Sequence, residues 1–242
     1  MLALAIDTAT EICSIALGNS ENVIGSISFE AGRSHLEMLF PAVEQLLGRQ
    51  NIDARRLEFI AVGTGPGNFS GLRVGIATCR ALSQSLGIPL QGSSSLAALA
   101  AGAAGSPGLQ GQPLLMAAIN ARRGQVFAQI YRKHNRKVTP LSEIYCLDPG
   151  DLVEVVTKAA SGPMVAAGDG VLAYPEIFYS APAIQALPPQ DKRHQVQAAH
   201  HLPEAGCKKK YSPQDLMEVL PEYVREPDAD KTVLLRKRQP WQ

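Results

Sequence analysis

The stretch GTGPGNFSGLRVG, Gly63–Gly75, decides the fold of this chain and holds five glycines and one proline in thirteen residues. It follows the apolar run FIAV, which starts at Phe59 and is typical of a buried strand, and it precedes an apolar pattern of helical spacing that starts near Gly71. Free N–H groups at such a helix N-terminus favour an anion. Two interpretations stay open: a tight turn in which Ser70 caps the helix, or a loop that contacts an anion with help from Arg73.

The known phosphate-binding loops do not fit this stretch. A P-loop needs a lysine for the outer phosphates, and the stretch contains none. The dinucleotide fingerprint, counted from Gly65, needs a third glycine where Ser70 stands, and it needs an acid about twenty residues further on for the ribose. Residues 59–142 contain no Asp or Glu, so the sequence excludes that site.

The pattern around the glycine stretch occurs twice along the chain. In the first half, LALAID, ICSIALG and NVIGSISF predict a meander of three strands; a helix follows, with Ser34 as cap, a kink at Pro41 and an end near Gly48, and FIAV is the next strand. In the second half, PLLMAAIN, QVFAQIYR and VTPLSEIYC predict three strands, a helix starts near Pro149, and PMVAAG is the next strand. The sequence therefore predicts an α/β fold of two related lobes.

The predicted domains follow from this duplication. We expect an N-terminal lobe over residues 1–105 and a C-terminal lobe over residues 106–188. Residues 189–242 form a tail, with a helix that packs back on the N-terminal lobe and a basic C-terminus. The motifs AIDTAT, at Ala5, and AINARR, at Ala118, hold matching positions in the two halves.

The two matching motifs carry the candidate phosphate hairpins. Asp7 is a candidate magnesium ligand at the end of the first strand, and Thr8 and Thr10 are candidate hydrogen-bonding residues beside it. Sugar kinases and actin-like ATPases usually have D-x-G here, but this chain has Ala9, and Asn120 stands where their second hairpin has an acid. One carboxylate is left where two normally organise metal and water, so hydrolysis would be slow at best. The full set of candidate nucleotide or anion contacts, as remnants of a site, is Asp7, Thr8, Thr10, Gly65, Gly67, Ser70, Gly71 and Arg73.

Composition and residue spacing narrow the class of protein further. Hydrophobic residues make up 45% and charged residues 19%, which is enough for a buried core, and the net charge is +1. The four cysteines have no C-x-x-C spacing, and we expect reduced thiols. The N-terminus has no basic region of a signal peptide, and no run reaches the roughly 20 apolar residues of a membrane helix, so we expect a cytoplasmic protein.

The histidines and the basic runs give weak signals. His35 lacks a partner four residues on, and His194, His200 and His201 form a loose cluster without acids or cysteines at a metal-ligand spacing, so no metal site is predicted. The basic runs at 208–210 and 236–238 are typical of a solvated tail, with weak contact to RNA phosphates as the alternative.

Four motifs in order resemble the TsaB family, also called YeaZ: IDTATEICSIAL, GTGPGNFSGLRVGIATCRALSQSLGIP, INARRGQVF and PEYVRE. The resemblance implies two ribonuclease-H-like lobes of the actin, sugar-kinase and heat-shock ATPase fold. It also implies a non-catalytic scaffold or activator that dimerises with TsaD for threonylcarbamoyl transfer to the adenosine beside the anticodon of tRNA. The ATPase TsaE joins that bacterial, cytoplasmic complex, and the subunit forms a homodimer when alone. No intrinsic cofactor is implied, with weak nucleotide binding at the TsaD interface left open. The chain departs from the family's pattern at Asn68, Ser70, Asn120, Gln125 and Phe127.

Such a subunit acts through a surface, and two helices supply candidates for it. The helices from Ser34 and from Gly71 carry more apolar or small residues than one buried face needs. The predicted partner interface consists of Leu36, Met38, Leu39, Val74, Ile76, Ala77 and Ala81. The alternative is that these side chains meet the neighbouring lobe. If they form the interface, Ala77→Arg or Ile76→Glu should leave the chain folded and abolish pairing with TsaD.

Two other classes of function remain as alternatives. A stand-alone ATPase or kinase is compatible with the fold, although the missing acids argue against it. A metalloprotease of the glycoprotease group lacks a zinc-ligand pair in this sequence.

Overall fold

The structure is a computed structural model that describes residues 1–31, 35–105, 114–134, 137–159, 164–206 and 211–225. The predicted helix cap at Ser34, the linker around residues 106–113 and the basic runs at 208–210 and 236–238 lie outside these residues.

Two β-sheets with the same strand order form the core of the described chain. The first sheet contains β1 (Ala3–Asp7), β2 (Ile12–Gly18), β3 (Val23–Glu30), β4 (Phe59–Gly63) and β5 (Leu90–Ser93) in the order β3-β2-β1-β4-β5. The second contains β6 (Leu114–Arg122), β7 (Gln125–His134), β8 (Lys137–Pro140), β9 (Tyr145–Leu147), β10 (Met164–Ala167) and β11 (Ile184–Ala186) in the order β11-β10-β6-β7-β8, with β9 beside β7. In each sheet an antiparallel hairpin is followed by strands parallel to its first strand. This confirms the predicted fold of two ribonuclease-H-like lobes.

Seven α-helices lie in the described residues. They are α1 (His35–Arg49), α2 (Phe69–Leu86), α3 (Ser95–Ala103), α4 (Pro149–Ala159), α5 (Asp169–Ala173), α6 (Pro175–Phe178) and α7 (Pro213–Glu218). Short 3-10 helices cover Ala54–Arg56, Lys192–His194 and Ala198–Gly206. None of the helices in the described ranges combines the length and the apolar composition that a membrane span requires.

Three element boundaries differ from the sequence prediction. Helix α2 begins at Phe69 because the side chain of Asn68, and not that of Ser70, accepts a hydrogen bond from the backbone N–H of Gly71. Helix α1 continues past Gly48 to Arg49, and Asn51, with φ 53°, takes the left-handed conformation after its end. The predicted third strand of the second half is divided into β8 and β9, and both pair with β7.

Side chains alternate along β1 between the two faces of the first sheet, so alternate residues pack against different elements. Leu4 and Ile6 lie in the cluster formed with α1 and α2, whereas Ala3 and Ala5 lie in a cluster on the other face. That second cluster includes Ala198 and Leu202 of the tail. Because side chains alternate with a period of two, Asp7 continues the row of Ala3 and Ala5 and is directed towards the tail.

One face of each sheet is therefore packed against a segment that is distant from it in sequence. Helix α3, which lies within the range predicted for the N-terminal lobe, packs against β6, β7 and β10 of the second sheet. The 3-10 helix Ala198–Gly206, which belongs to the tail, packs against β1, β2 and β4 of the first sheet. The two sheets are thus connected by shared packing, and residues from both meet at the cleft described below.

Candidate functional site

Asp7 takes part in a buried hydrogen-bond network. Its side chain is 1% exposed; Oδ1 accepts from the backbone N–H of Ala9 at 2.8 Å, and Oδ2 accepts from Ser95 Oγ at 2.6 Å. His201, which is 1% exposed, places Nε2 2.9 Å from the same Oδ2. With Nε2–H donating to Asp7, the ring nitrogen Nδ1 accepts from Ser93 Oγ at 2.5 Å. The carboxylate that the sequence singled out as a magnesium ligand is thus enclosed by protein donors.

The glycine stretch lies directly against the first hairpin. A Cβ on Gly63 would be 1.9 Å from Asp7 Oδ2, and a Cβ on Gly67 would be 2.2 Å from the carbonyl oxygen of Ala9. The backbone N–H of Asn68 donates to that carbonyl oxygen at 2.7 Å. The loop therefore fills the space over the hairpin, and this geometry favours the tight-turn interpretation over a phosphate loop.

The predicted nucleotide contacts separate into two groups. Thr10, Gly67 and Ser70 line the cleft between the lobes. The other five predicted contacts, namely Asp7, Thr8, Gly65, Gly71 and Arg73, are not part of that lining. Thr8, for example, is buried and donates through Oγ1 to the carbonyl oxygen of Gly71 at 2.8 Å.

Substitution of Gly67 tests this close approach. Gly67→Ala is expected to lower the free energy of unfolding by about 1–3 kcal/mol, because the new methyl group meets backbone that cannot rotate away. The control is Gly48→Ala in α1, where nothing lies within 4 Å of the added Cβ and a gain of about 0.5–1 kcal/mol is expected. Denaturant unfolding of both variants measures the difference; equal stability of the two would contradict the packing role.

A cleft of about 430 Å³ lies between the two lobes. It is lined by residues 9–11 and 67–70 of the first lobe, residues 120–123, Phe127 and Asp169 of the second, and residues 222–225. Glu11 of the first hairpin and Arg122 of the second form an ion pair across it, with side chains 62% and 58% exposed. An ion pair this exposed contributes little to stability, so it does not hold the lobes together by itself.

A carboxyl group does lie beside the second hairpin, on Asp169 at the start of α5 rather than at Asn120. Asp169 Oδ1 accepts from the backbone N–H of Asn120 at 3.0 Å, and burial raises the pKa of the Asp169 carboxyl above its ordinary value. Sequence reasoning missed this residue. The available signal was the GDG motif, Gly168–Gly170, which follows β10 as the glycine stretch follows FIAV.

Residues 222–225 connect the lobes along the cleft. The backbone N–H of Glu222 donates to the carbonyl oxygen of Thr64 at 2.8 Å in the first lobe. Arg225 donates to the carbonyl oxygen of Ala121 at 3.2 Å and to the Gln125 side chain in the second lobe. Burial also raises the pKa of the Glu222 carboxyl. This part of the PEYVRE motif thus positions an arginine and a carboxyl group at the cleft.

The predicted partner interface divides into exposed and buried residues. Met38 is 41% exposed, Ala77 and Ala81 are exposed, and Val74 is half-buried against the core. Phe40 on α1 is 48% exposed and adds apolar surface there. The side chain of Leu36 lies outside the described residues.

Leu39 and Ile76 are core residues instead. They are 1% and 3% exposed and belong to the apolar cluster between the first sheet and its helices. Ile76→Glu would bury a charge in that core and is expected to unfold the chain, so the sequence-based expectation that this variant stays folded is wrong.

His194 and His200 pack against neighbouring segments of the chain. His194 is buried and its ring nitrogens bond to backbone of Gly168 and Leu187. His200 is half-buried, and burial lowers its pKa. Within the described ranges, no three His, Cys, Asp or Glu side chains are grouped closely enough to hold a metal ion.

Known proteins resemble this chain in sequence and in structure. Residues 21–230 match the family model described as "TsaD: tRNA N6-adenosine threonylcarbamoyltransferase". The tRNA threonylcarbamoyladenosine biosynthesis protein TsaB of Escherichia coli K12 is 33% identical over 178 residues, which cover 73% of this chain and 75% of that protein. TsaB of Bacillus subtilis is 35% identical over 135 residues, which cover 56% of this chain and 57% of that protein.

Solved structures extend this likeness to the fold. YeaZ from Pseudomonas aeruginosa superposes with a TM-score of 0.74 at 28% identity, over 92% of this chain and 99% of that chain. The ethanolamine utilization protein EutJ from Carboxydothermus hydrogenoformans, 13% identical, has a TM-score of 0.51 over 84% of this chain and 89% of its own and resembles it in fold alone.

Proposed function

Since this chain belongs to the TsaB family, we propose that it is a non-catalytic subunit of tRNA threonylcarbamoyladenosine biosynthesis that pairs with TsaD and supports its transfer reaction. TsaD supplies the metal and the catalytic groups in this proposal, and the ATPase TsaE joins the complex. The chain acts in the cytoplasm and contacts tRNA as part of the complex.

The enclosure of Asp7 is the observation that carries this proposal. A metal-dependent phosphoryl transfer needs carboxylates that reach the metal and its water. Asp7, the acid of the first hairpin, has no exposed surface and accepts hydrogen bonds from Ala9, Ser95 and His201. Asp169 lies at the second hairpin, but burial favours its uncharged form. The arrangement supports a subunit that retains the fold of a nucleotide-handling protein without a working metal site.

The exposed residues on α1 and α2 support pairing through a surface. Met38 and Phe40 are exposed apolar side chains on α1, and Ala77 and Ala81 leave α2 with little side-chain bulk at its surface. The two helices pack against each other, so the four residues lie on neighbouring elements. Stable protein interfaces bury roughly 1,600 Å² in total, an area that two adjacent helices from each partner can supply.

Co-purification with TsaD from the same organism tests the proposed function. The two chains are expected to elute as one complex, and TsaD is expected to transfer the threonylcarbamoyl group to tRNA faster with this chain than without it. The control is the same assay with TsaD and the Thr157→Arg variant, whose substitution lies on α4 of the second lobe, outside the proposed interface and the cleft, and which is expected to behave as wild type.

Independent turnover would contradict the proposal. Purified chain is incubated with ATP and magnesium, and phosphate release is followed for the wild type and for Asp169→Asn, which removes the carboxyl group at the second hairpin. Magnesium-dependent release by the chain alone, lost in Asp169→Asn, would favour the ATPase or kinase alternative instead.

A further inference from the structure

The tip of the second hairpin holds two neighbouring arginines in an unfavourable backbone conformation. Arg122 and Arg123 have φ values of 61° and 55°, and Gly124 follows with φ 80°. The tight turn accounts for these angles, because Arg122 pairs with Gln125 and two-residue hairpin connections take left-handed backbone. Both arginines line the cleft, so the turn brings two guanidinium groups to one wall of it.

The partners of Arg122 and Arg225 leave the cleft suited to an anion. Arg122 pairs with Glu11, and because this pair is exposed, a phosphate can replace the carboxylate at the guanidinium group. Arg225, a third arginine of the lining, donates to two neutral acceptors, the Ala121 carbonyl oxygen and the Gln125 side chain. Burial raises the pKa values of the other two carboxyl groups in the lining, those of Asp169 and Glu222. A raised pKa favours the uncharged form, so these two groups repel an anion less.

Two aromatic rings line the same cleft. Phe69 and Tyr223 are 44% and 47% exposed, their ring centroids are 5.2 Å apart, and the planes are tilted by 33°. The guanidinium carbon of Arg73 lies 3.8 Å from the Phe69 ring centroid, and its Nε donates to the Tyr223 hydroxyl at 3.0 Å. The arginine thus fixes both rings while nearly half of each side chain stays accessible, as a stacking surface for a base requires.

The closed first hairpin limits which phosphate ligand fits. Gly67 and Asn68 occupy the position over Ala9, and the described residues offer no group of three metal ligands that would accompany a magnesium-bound triphosphate. One phosphate beside one base is the repeating unit of a nucleic-acid strand. Residues 59–142, which carry both arginines of the hairpin, hold eight Lys or Arg and no Asp or Glu, a net charge of +8.

We infer that the cleft between the lobes binds a nucleotide of single-stranded RNA, with a phosphate on Arg122 and Arg123 and a base against Phe69 and Tyr223. The ligand chemistry follows from the cleft itself. Only the choice of an RNA strand over a free nucleoside monophosphate rests on the proposed function.

Fluorescence anisotropy of the full chain with a labelled, short single-stranded oligoribonucleotide tests the inference. The wild type is expected to bind in a salt-dependent manner, and the double variant Arg122→Ala/Arg123→Ala is expected to bind at least about tenfold more weakly. Its salt slope is expected to fall by roughly 0.7 for each phosphate that the variant no longer neutralises. Tyr223→Ala is also expected to weaken binding about tenfold, because a stacking surface for the base is removed.

The matched control is the double variant Arg55→Ala/Arg56→Ala. Both arginines are exposed and precede β4, at the end of the strand opposite to the glycine stretch, so their loss removes the same two charges away from the cleft. Binding by this variant is expected to stay within about twofold of the wild type. Equal weakening by Arg55→Ala/Arg56→Ala would show attraction by overall charge and would overturn the inference, as would no binding at about 100 µM chain, the weak end of non-specific nucleic-acid affinity.

Competition experiments distinguish an RNA strand from free nucleotides as the ligand. A pairing assay then distinguishes failure of this inference from failure of the proposed function. Unlabelled single-stranded RNA is expected to displace the probe, whereas AMP, ATP with magnesium and inorganic phosphate are expected to compete much more weakly; a free nucleotide that competes as well as the strand would overturn the assignment to RNA. Co-purification of the Arg122→Ala/Arg123→Ala variant with TsaD provides the second readout. If the wild type pairs with TsaD but does not bind RNA, only this inference is wrong. If it binds RNA but does not pair with TsaD, only the proposed function is wrong.

Discussion

Replacing His201 with alanine is expected to lower the free energy of unfolding by about 3–5 kcal/mol, because it removes one partner of a buried acid–histidine pair. The Asp7 carboxylate would keep the N–H of Ala9 and the hydroxyl of Ser95 but would lose the ring N–H that lies 2.9 Å from Oδ2. Water cannot replace that donor without entering a site in which both side chains are at most 1% exposed. Chemical denaturation followed by circular dichroism measures the loss.

Two further variants separate this effect from the general cost of a smaller side chain. His200→Ala changes the neighbouring, half-buried histidine and is expected to cost about 1 kcal/mol. The double variant Asp7→Asn/His201→Gln removes the charge that would be left without a partner while keeping polar groups at both positions, so it is expected to be more stable than His201→Ala. If His201→Ala and His200→Ala destabilise the chain equally, the pair has no special role in fixing the tail to the first lobe.

The fold was predictable because its signal is local and repeated. Strand alternation, the glycine stretch after FIAV and the second occurrence of the same order were each visible within a few tens of residues, and they gave the two lobes. Boundaries were less certain because neighbouring residues compete for the same role. Asn68 and Ser70 are both good helix caps, and only the folded loop decides between them.

The partner of Asp7 was not predictable from spacing. His201 lies 194 residues away, and neither residue has a local pattern that indicates the other. The direction of Asp7 was open to inference, however, since alternation along β1 places it in the row of Ala3 and Ala5 and away from Leu4 and Ile6. The sequence analysis thus took Asp7 for a magnesium ligand because it considered the position of Asp7 in a motif and not the face of β1 on which Asp7 lies.

Ala77→Arg is expected to abolish pairing with TsaD while leaving this chain folded. Ala77 is exposed on α2, and arginine is a good helix former, so the isolated chain has room for the new side chain. At the centre of an interface the guanidinium group would lose its hydrating water without gaining a partner, which costs several kcal/mol. The dissociation constant for TsaD is therefore expected to rise by more than about a hundredfold. Co-purification and calorimetric titration with TsaD measure the loss of pairing, and circular dichroism with thermal unfolding shows that the fold is retained.

The same substitution elsewhere provides the control for this prediction. Thr157 is exposed on α4 of the second lobe, so Thr157→Arg adds an equal charge to a helix outside the proposed interface and is expected to leave TsaD binding unchanged. Arg122→Ala/Arg123→Ala, which alters the cleft instead, is likewise expected to keep pairing. A folded Ala77→Arg variant that binds TsaD as tightly as Thr157→Arg does would mean that α2 faces solvent in the complex, and the contact would then have to lie on another surface of the chain.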